Sequence, residues 1–506
     1  MPPLPMTIRP MTIRPIALLI ALQACLSAGD AKRPNILWLF SDDHTHQAIG
    51  AYGGRFGDLD LTPNIDRIAN EGVRFDRSYV GNSICAPSRA TLLTGKHSHK
   101  HGKFDNYTEF DHGQRQFQKI LRENGYQTAM IGKIHLDGEM QGFDYWEVLP
   151  GQGKYWNPEF ITADGRTVYE GEHSTDVITD RALNWLEHER DADKPFMAMV
   201  HFKAPHRPWQ PTTRWQERFK HKIFPEPATL FEDHAGRGFA ARNQDMTILD
   251  TMQMRGDVKA HLPERQAELS RIDQDDPRAL TKLKYQWYMR DYLACIAGVD
   301  ENVGRLLEYL EANGLADNTI VMYSADQGFY LGEFGWFDKR FMYEISYRTP
   351  LVAKWPGVTP PGSVNQDLVQ NIDLAGTFLD IAGAEIPEDM QGMSLVPLLK
   401  GETPEDWRTS LYYHYYEFPA YWHAVRRHEG VSTARYKLIR FYGNDVPNGE
   451  EWEFYDLKAD PHELTSVFGT PKYEAELAEL KQELLRLRER YEVPDDVGGL
   501  PVRAQR

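Results

Sequence analysis

Four short apolar runs in this 506-residue chain each hand over to residues able to do acid, base or charge chemistry. "NILWLF" runs into Ser41, Asp42 and Asp43, and "YQTAMIG" into Lys133, Ile134 and His135. "FMAMVHFKAP" runs into His206, and "TIVMYSA" into Asp326, Gln327 and Gly328. Continuous apolar runs of this length, separated by helical patterns, read as buried strands of a mostly parallel sheet flanked by helices. In such α/β sheets a ligand binds beyond the carboxyl ends of the strands, so residues hundreds of positions apart can meet on one edge. One such run ending in a polar residue is an ordinary loop. Four with the same polarity at the same end predict a site.

The rest of the chain bounds what that site can be. A 41% hydrophobic content supports a large core, and a net charge of -17 argues against a nucleic-acid binder, which needs broad basic patches. An anionic ligand must be met by local positive groups. The N-terminal "RPIALLIALQACLSAGDA" joins Arg14 to a short apolar run and then to small residues, the layout of a secretory signal peptide over residues 1–31. Cleavage near Ala28 is the simpler reading; "LQAC" also has the form of a lipoprotein box, which would anchor the chain through Cys25. No later stretch is long and apolar enough for a membrane span. The reading is an exported protein: periplasmic, extracellular or lipid-anchored.

Asp42, Asp43 and Asp326 would repel one another unless a cation neutralised them. With the amide oxygen of Gln327 they form an all-oxygen set, which favours Ca²⁺ or Mg²⁺. Zinc held by His44, His46, His97, His99 or His101 is the alternative, without a thiolate or a His-x-x-x-His helix to accompany it. Cys295 lies in a strongly periodic helical stretch and reads as core. Cys85, in "NSICAPSRATLLTG", lies on no apolar face. Pro87 and Ser88 suit a first helical turn and Gly95 a stop, which puts Cys85 at the positive end of a helix with Arg89 beside it. A plain thiolate nucleophile there would stand against three carboxylates, so it fits poorly.

"CAPSRATLLTG" resembles the type I sulfatase signature, and "PNILWLFSDDH", "TPNIDRIANEGVRF", "GYQTAMIGKIHL", "APHRPW" and "SADQGFYLGEFGWFDKR" resemble further blocks of that family, in order, over residues 33–400. The resemblance implies an alkaline phosphatase-like fold, a large mixed, mostly parallel sheet between helices, with a small C-terminal antiparallel sheet plus helix. It implies that Cys85 is oxidised to formylglycine by a maturation enzyme and that Asp42, Asp43, Asp326 and Gln327 hold Ca²⁺ together with the modified Cys85. One hydroxyl of the hydrated aldehyde would attack the sulfur of a sulfate ester. Arg89 would stabilise the hydrate and Lys133 and Lys339 would bind sulfate oxygens. His206 would serve the departing alcohol, and His135 would take the proton that lets sulfate leave. Gln327 departs from the more usual Asn or His, which shifts the expected cation geometry. "DQGFYLGEFGWFDKRFMYE" is closest to glycan sulfatases, including N-acetylglucosamine-6-sulfatases.

Beyond residue 400, alternating aromatic and polar residues read as antiparallel strands, followed by an amphipathic helix in "YEAELAELKQELLRLRERY". The expected division is a catalytic domain over 32–400 and an α+β subdomain over 401–506. His414, Glu417, Trp422 and His428 are candidates for a sugar subsite, against the alternative of a packed sheet face. The leading function is removal of sulfate from a carbohydrate, N-acetylglucosamine 6-O-sulfate by preference. The alternatives are another glycan position, such as uronic acid 2-O-sulfate or a marine polysaccharide, then a phosphoester or phosphonate hydrolase, and last a glycan-binding protein without activity.

Overall fold

The computed structural model describes residue 2 and residues 33–420 and 423–495. The signal-peptide segment with Cys25, and Trp422, lie outside the described residues. Ten strands form the main sheet: β1 (Asn35–Ser41), β2 (Val73–Phe75), β3 (Gln127–Gly132), β4 (Tyr145–Val148), β5 (Glu159–Thr162), β6 (Gly165–Val168), β7 (Phe196–His201), β8 (Thr319–Ala325), β9 (Leu351–Lys354) and β10 (Ser363–Asn365). Their spatial order is β10-β2-β9-β8-β1-β7-β3-β4-β5-β6. The five central strands, β8-β1-β7-β3-β4, run parallel; β9 turns antiparallel on one side and β5 on the other, and β6 pairs antiparallel with β5. The sheet is large, mixed and mostly parallel.

Alternation along β1 explains the two layers. Leu37 and Leu39 point to one face, where they meet α1 (Pro63–Asn70), α4 (Ser174–Asn184) and the 36-residue α5 (Pro277–Ala312). Ile36, Trp38 and Phe40 point to the other, packed on α2 (Cys85–Thr94), α3 (Phe117–Glu123) and α6 (Asp373–Ile381). Both faces are covered, which is why these strands read as unbroken apolar runs. Cys295 lies buried in α5. α5 begins at Pro277 on the side-chain cap of Asp276.

A second sheet is antiparallel: β11 (Ser410–Tyr415), β12 (His428–Thr433), β13 (Tyr436–Tyr442) and β14 (Glu450–Asp456), in sequential order. One face packs on α7 (Glu474–Arg490) through Tyr412, Val431, Leu438 and Phe454. The other packs on residues 330–347 through Tyr413, Ile439, Phe441 and Tyr455. Segment 330–347 therefore lies between this sheet and the carboxyl edge of the main one, where Lys339 projects.

Candidate active site

The four exits predicted from sequence converge. Asp42 and Asp43 follow β1, Lys133 and His135 follow β3, His206 follows β7, and Asp326 and Gln327 follow β8. Carboxylate oxygens of Asp42, Asp43 and Asp326 lie within 4.8 Å of one another, and atoms of Asp42, Cys85 and His206 form a second such group. Among the described residues, the histidines at 97, 99 and 101 join no metal-competent cluster.

Cys85 is the first residue of α2, which Gly95 ends in a left-handed conformation, as the Gly stop predicts. Every residue of the helix is buried. The thiol lies 3.4 Å from Asp42 Oδ1 and 3.2 Å from Lys339 Nζ. Burial, helped by Asp43 and Asp326, pushes it up to about 12 against the pull of Lys339 and Arg89. A thiolate is thus scarce at neutral pH, and the unmodified side chain is a poor nucleophile.

The positive groups are set around it. Arg89, one turn along the same helix, donates through Nε to Asp326 Oδ2 at 3.1 Å and through Nη1 to Lys133 O at 2.5 Å. Lys133 ion-pairs with Asp42 and donates to Gln152 Oε1 at 2.5 Å. Burial, together with the neighbouring Lys203, holds Lys133 well below the usual lysine range. Lys339 pairs with Asp43, and the carboxylates around it outweigh burial and raise it above the ordinary value. Burial raises Asp43 to about 6, with Lys339 opposing.

His206 donates from Nδ1 to Arg207 O at 2.6 Å, which turns Nε2 toward the site, 3.8 Å from Asp43 Oδ2. Burial first, then Lys133, Lys339 and Lys203, hold it well below the usual histidine range. His135 is held low by burial and by Lys133 in the same way. It also has a backbone φ of 53°, as Asp43 has 66°; non-glycine residues in this region carry strain and concentrate at functional sites.

The cation-binding expectation fits on one detail and needs adjustment on another. Asp43 Oδ2 and Gln327 Oε1 are buried without a hydrogen-bond partner, and the donor set is oxygen throughout, which suits a hard cation such as Ca²⁺. Gln327, however, presents its Nε2 to Asp43 Oδ1 at 2.6 Å and to Asp326 Oδ1 at 2.9 Å. Exchanging the two ends of that amide puts an oxygen where the cation requires one.

Sequence reading missed Lys203, Gln152, Asp338 and Arg340. Lys203 is buried, lowered to about 8 by burial, and donates to Gln152 O at 3.0 Å. Gln152 thus holds one lysine on its backbone and another on its side chain. Asp338 and Arg340 flank Lys339, pair with each other at 2.6 Å, and have φ of 80° and 96°. Lys203 could have been found, since it sits in the same exit run as His206, and Asp338 and Arg340 through the block "SADQGFYLGEFGWFDKR" that carries Lys339; Gln152 comes from a loop without a distinctive pattern.

The sugar-subsite candidates divide. Glu417 accepts from Asn106 N–H at 2.9 Å, in the loop beside α2. His428 is fully buried; Nδ1 donates to Arg426 O at 2.8 Å and Nε2 accepts from Met342 N–H at 3.1 Å. His414 is buried between the hydroxyls of Tyr412 at 2.8 Å and Tyr442 at 2.6 Å. With both nitrogens of each ring engaged, His414 and His428 pack within the small sheet.

With that geometry in view, comparison with known proteins is decisive on class. The family model described as Sulfatase matches residues 34–384, and the one described as N-sulphoglucosamine sulphohydrolase, C-terminal, matches residues 332–490. The chain belongs to the sulfatase family and is a sulfuric ester hydrolase. It is similar to the N-acetylglucosamine-6-O-sulfatase of Bacteroides thetaiotaomicron, 48% identical over 95% of this chain and 90% of that protein. The human N-acetylglucosamine-6-sulfatase is 29% identical over 79% of this chain and 71% of its own. A solved structure in complex with its substrate D-glucosamine-2-N,6-O-disulfate matches with a TM-score of 0.85 at 48% identity, covering 92% of this chain and 99% of that one. The phosphonate monoester hydrolase of Agrobacterium radiobacter, at 22% identity and a TM-score of 0.68 over 91% and 96% of the two chains, shares the fold. Formylglycine and Ca²⁺ are general features of the sulfatase family.

Proposed function

We propose that this enzyme removes the 6-O-sulfate of an N-acetylglucosamine or N-sulfoglucosamine residue. The observation that carries the reading is the closed set of Arg89, Lys133, His135, His206 and Lys339 around Cys85, in a chain 48% identical to an N-acetylglucosamine-6-O-sulfatase over nearly its whole length. Asp42, Asp43, Asp326 and Gln327 would hold Ca²⁺, which supplies charge neutralisation for the sulfate oxygens. Formylglycine made from Cys85 would supply a geminal diol, whose second hydroxyl allows sulfate to be released without attack by water at sulfur.

The remaining work falls to fixed side chains. Lys133 and Lys339 bind the non-bridging sulfate oxygens, and Arg89 holds Asp326 and the nucleophile helix in register. His206, its tautomer set by Arg207 O, presents Nε2 to the departing alcohol. An anionic ester entering the site opposes the lysine charge that, after burial, holds His206 low. His135 takes a proton on the nucleophile side. Asp338 and Arg340, which flank Lys339, are the groups we assign to reading the sugar.

We place residues 1–31 as an export signal, residues 32–400 as the catalytic domain and residues 401–506 as the C-terminal subdomain. The test is the release of sulfate from N-acetylglucosamine 6-sulfate, from a 2-O-sulfated uronic acid, and from an aryl sulfate and aryl phosphate pair. Preference for the first supports the reading. Preference for the uronic acid moves the substrate, and preference for phosphate overturns it.

A further inference from the structure

The loop after the nucleophile helix carries a polar group that the reaction above leaves unused. Asn106 lies there, half-buried. Its Oδ1 accepts from Ala86 N–H at 3.1 Å, the backbone amide next along the chain from Cys85. Only the oxygen of an amide can accept, so this bond determines which end is which, and the other end is a donor. The backbone N–H of Asn106 in turn donates to Glu417 Oε2 at 2.9 Å. The second oxygen of Glu417 faces His423 Nε2 at 3.2 Å. His423 Nδ1 accepts from Val425 N–H at 3.2 Å, which leaves the ring proton on Nε2, directed at Glu417.

Asn106 is therefore clamped twice, by its backbone to the end of the small sheet and by its side chain to the helix of Cys85. Among the described residues its Nδ2 makes no hydrogen bond, and the residue is only partly buried. A donor fixed this firmly and left free is set for a ligand. Consecutive Cα atoms are only about 3.8 Å apart, so an amide bound to Ala86 N–H stands beside the reacting residue. The anionic sulfate is already met by Lys133 and Lys339. A neutral donor at the outer side of that set suits the uncharged oxygens of the group that carries the sulfate.

We propose that Asn106 Nδ2 donates to a hydroxyl or ring oxygen of the sugar, and that Glu417 is its positioning residue. The proposal rests on the reading of the substrate as a sulfated sugar. It makes Asn106 a specificity determinant contributed by the catalytic domain but held by the C-terminal sheet.

The test compares wild type with Asn106→Asp, Asn106→Ala and Glu417→Gln on N-acetylglucosamine 6-sulfate and on 4-nitrophenyl sulfate, which has no sugar. Asn106→Asp keeps an acceptor for Ala86 N–H and removes the donor. The expected result is a fall of about tenfold or more in the sugar-to-aryl ratio of kcat/KM, the scale of one hydrogen bond to substrate, expressed mainly in KM. Asn106→Ala lowers that ratio as well, and Glu417→Gln lowers it less. An unchanged ratio in Asn106→Asp, whether both rates fall together or neither does, overturns the proposal. Wild-type protein that cleaves the aryl ester and no sulfated sugar instead overturns the substrate reading, and the proposal with it.

Discussion

Replacing Lys339 with methionine keeps the length of the side chain and removes its charge. Lys339 is buried, pairs with Asp43 and lies 3.2 Å from Cys85 Sγ. Two unit charges at about 4 Å and an effective dielectric constant of about 20 attract by about 4 kcal/mol. Breaking a buried pair from one side costs about 3–5 kcal/mol, because the partner is left charged and dry. Asp43, already raised to about 6 by burial, escapes part of that cost by taking up a proton. The cation-free Lys339→Met protein is therefore expected to lose about 3 kcal/mol in urea denaturation at pH 7.5, and less at pH 5.5 where Asp43 protonates more readily. Catalysis loses a cation aimed at developing charge, worth about 10²–10³ in kcat, read as sulfate release from N-acetylglucosamine 6-sulfate. A variant within threefold of wild type in kcat, or one equally stable without added Ca²⁺, would refute the placement of Lys339 in the charge network.

Asp338 is held at about 2: burial pushes it up, and Arg340, Lys339 and Arg207 pull it down further. Its folded value lies below the ordinary one, so its contribution is present above about pH 4 and is lost as the pH falls through 2. The stability gap between wild type and Asp338→Asn, on the order of 2 kcal/mol at neutral pH, should narrow over that window in denaturation curves. Replacing His206 with asparagine should slow an alkyl sulfate by about 10²–10⁴-fold and 4-nitrophenyl sulfate far less, since a good leaving group needs no proton; equal losses would remove His206 from the leaving-group side. A Cβ on Gly328 would lie 2.0 Å from Ile345 O and 2.5 Å from Arg348 O, both backbone atoms that cannot swing aside. Gly328→Ala should cost about 1–3 kcal/mol by denaturation and displace the adjacent Gln327.

The central strands were legible because both of their faces are covered, so each appears as a short apolar run whose polar exit is also a loop at the sheet edge. Asp42, Asp43, Lys133, His135, His206, Asp326 and Gln327 were found through that logic, and Cys85 through the resemblance of "CAPSRATLLTG" to the sulfatase signature. Alternation in "LYYHYYEF" gave the strand β11 but could not tell that loops cover one face of the small sheet and α7 the other. His414 and His428 therefore looked available in sequence and are enclosed in the fold. Gln152 and Asn106 act from loops whose course is set by distant contacts, such as Glu417 on Asn106, and no local pattern announces those.

The central claim is that Cys85 works only after conversion, because its thiol is buried, raised to about 12 and flanked by carboxylates. Mass spectrometry of the peptide containing Cys85, on preparations that differ in specific activity toward N-acetylglucosamine 6-sulfate, tests it directly. Activity should rise in proportion to the fraction carrying an aldehyde in place of the thiol. Full activity in protein whose Cys85 is an unmodified thiol would contradict the account.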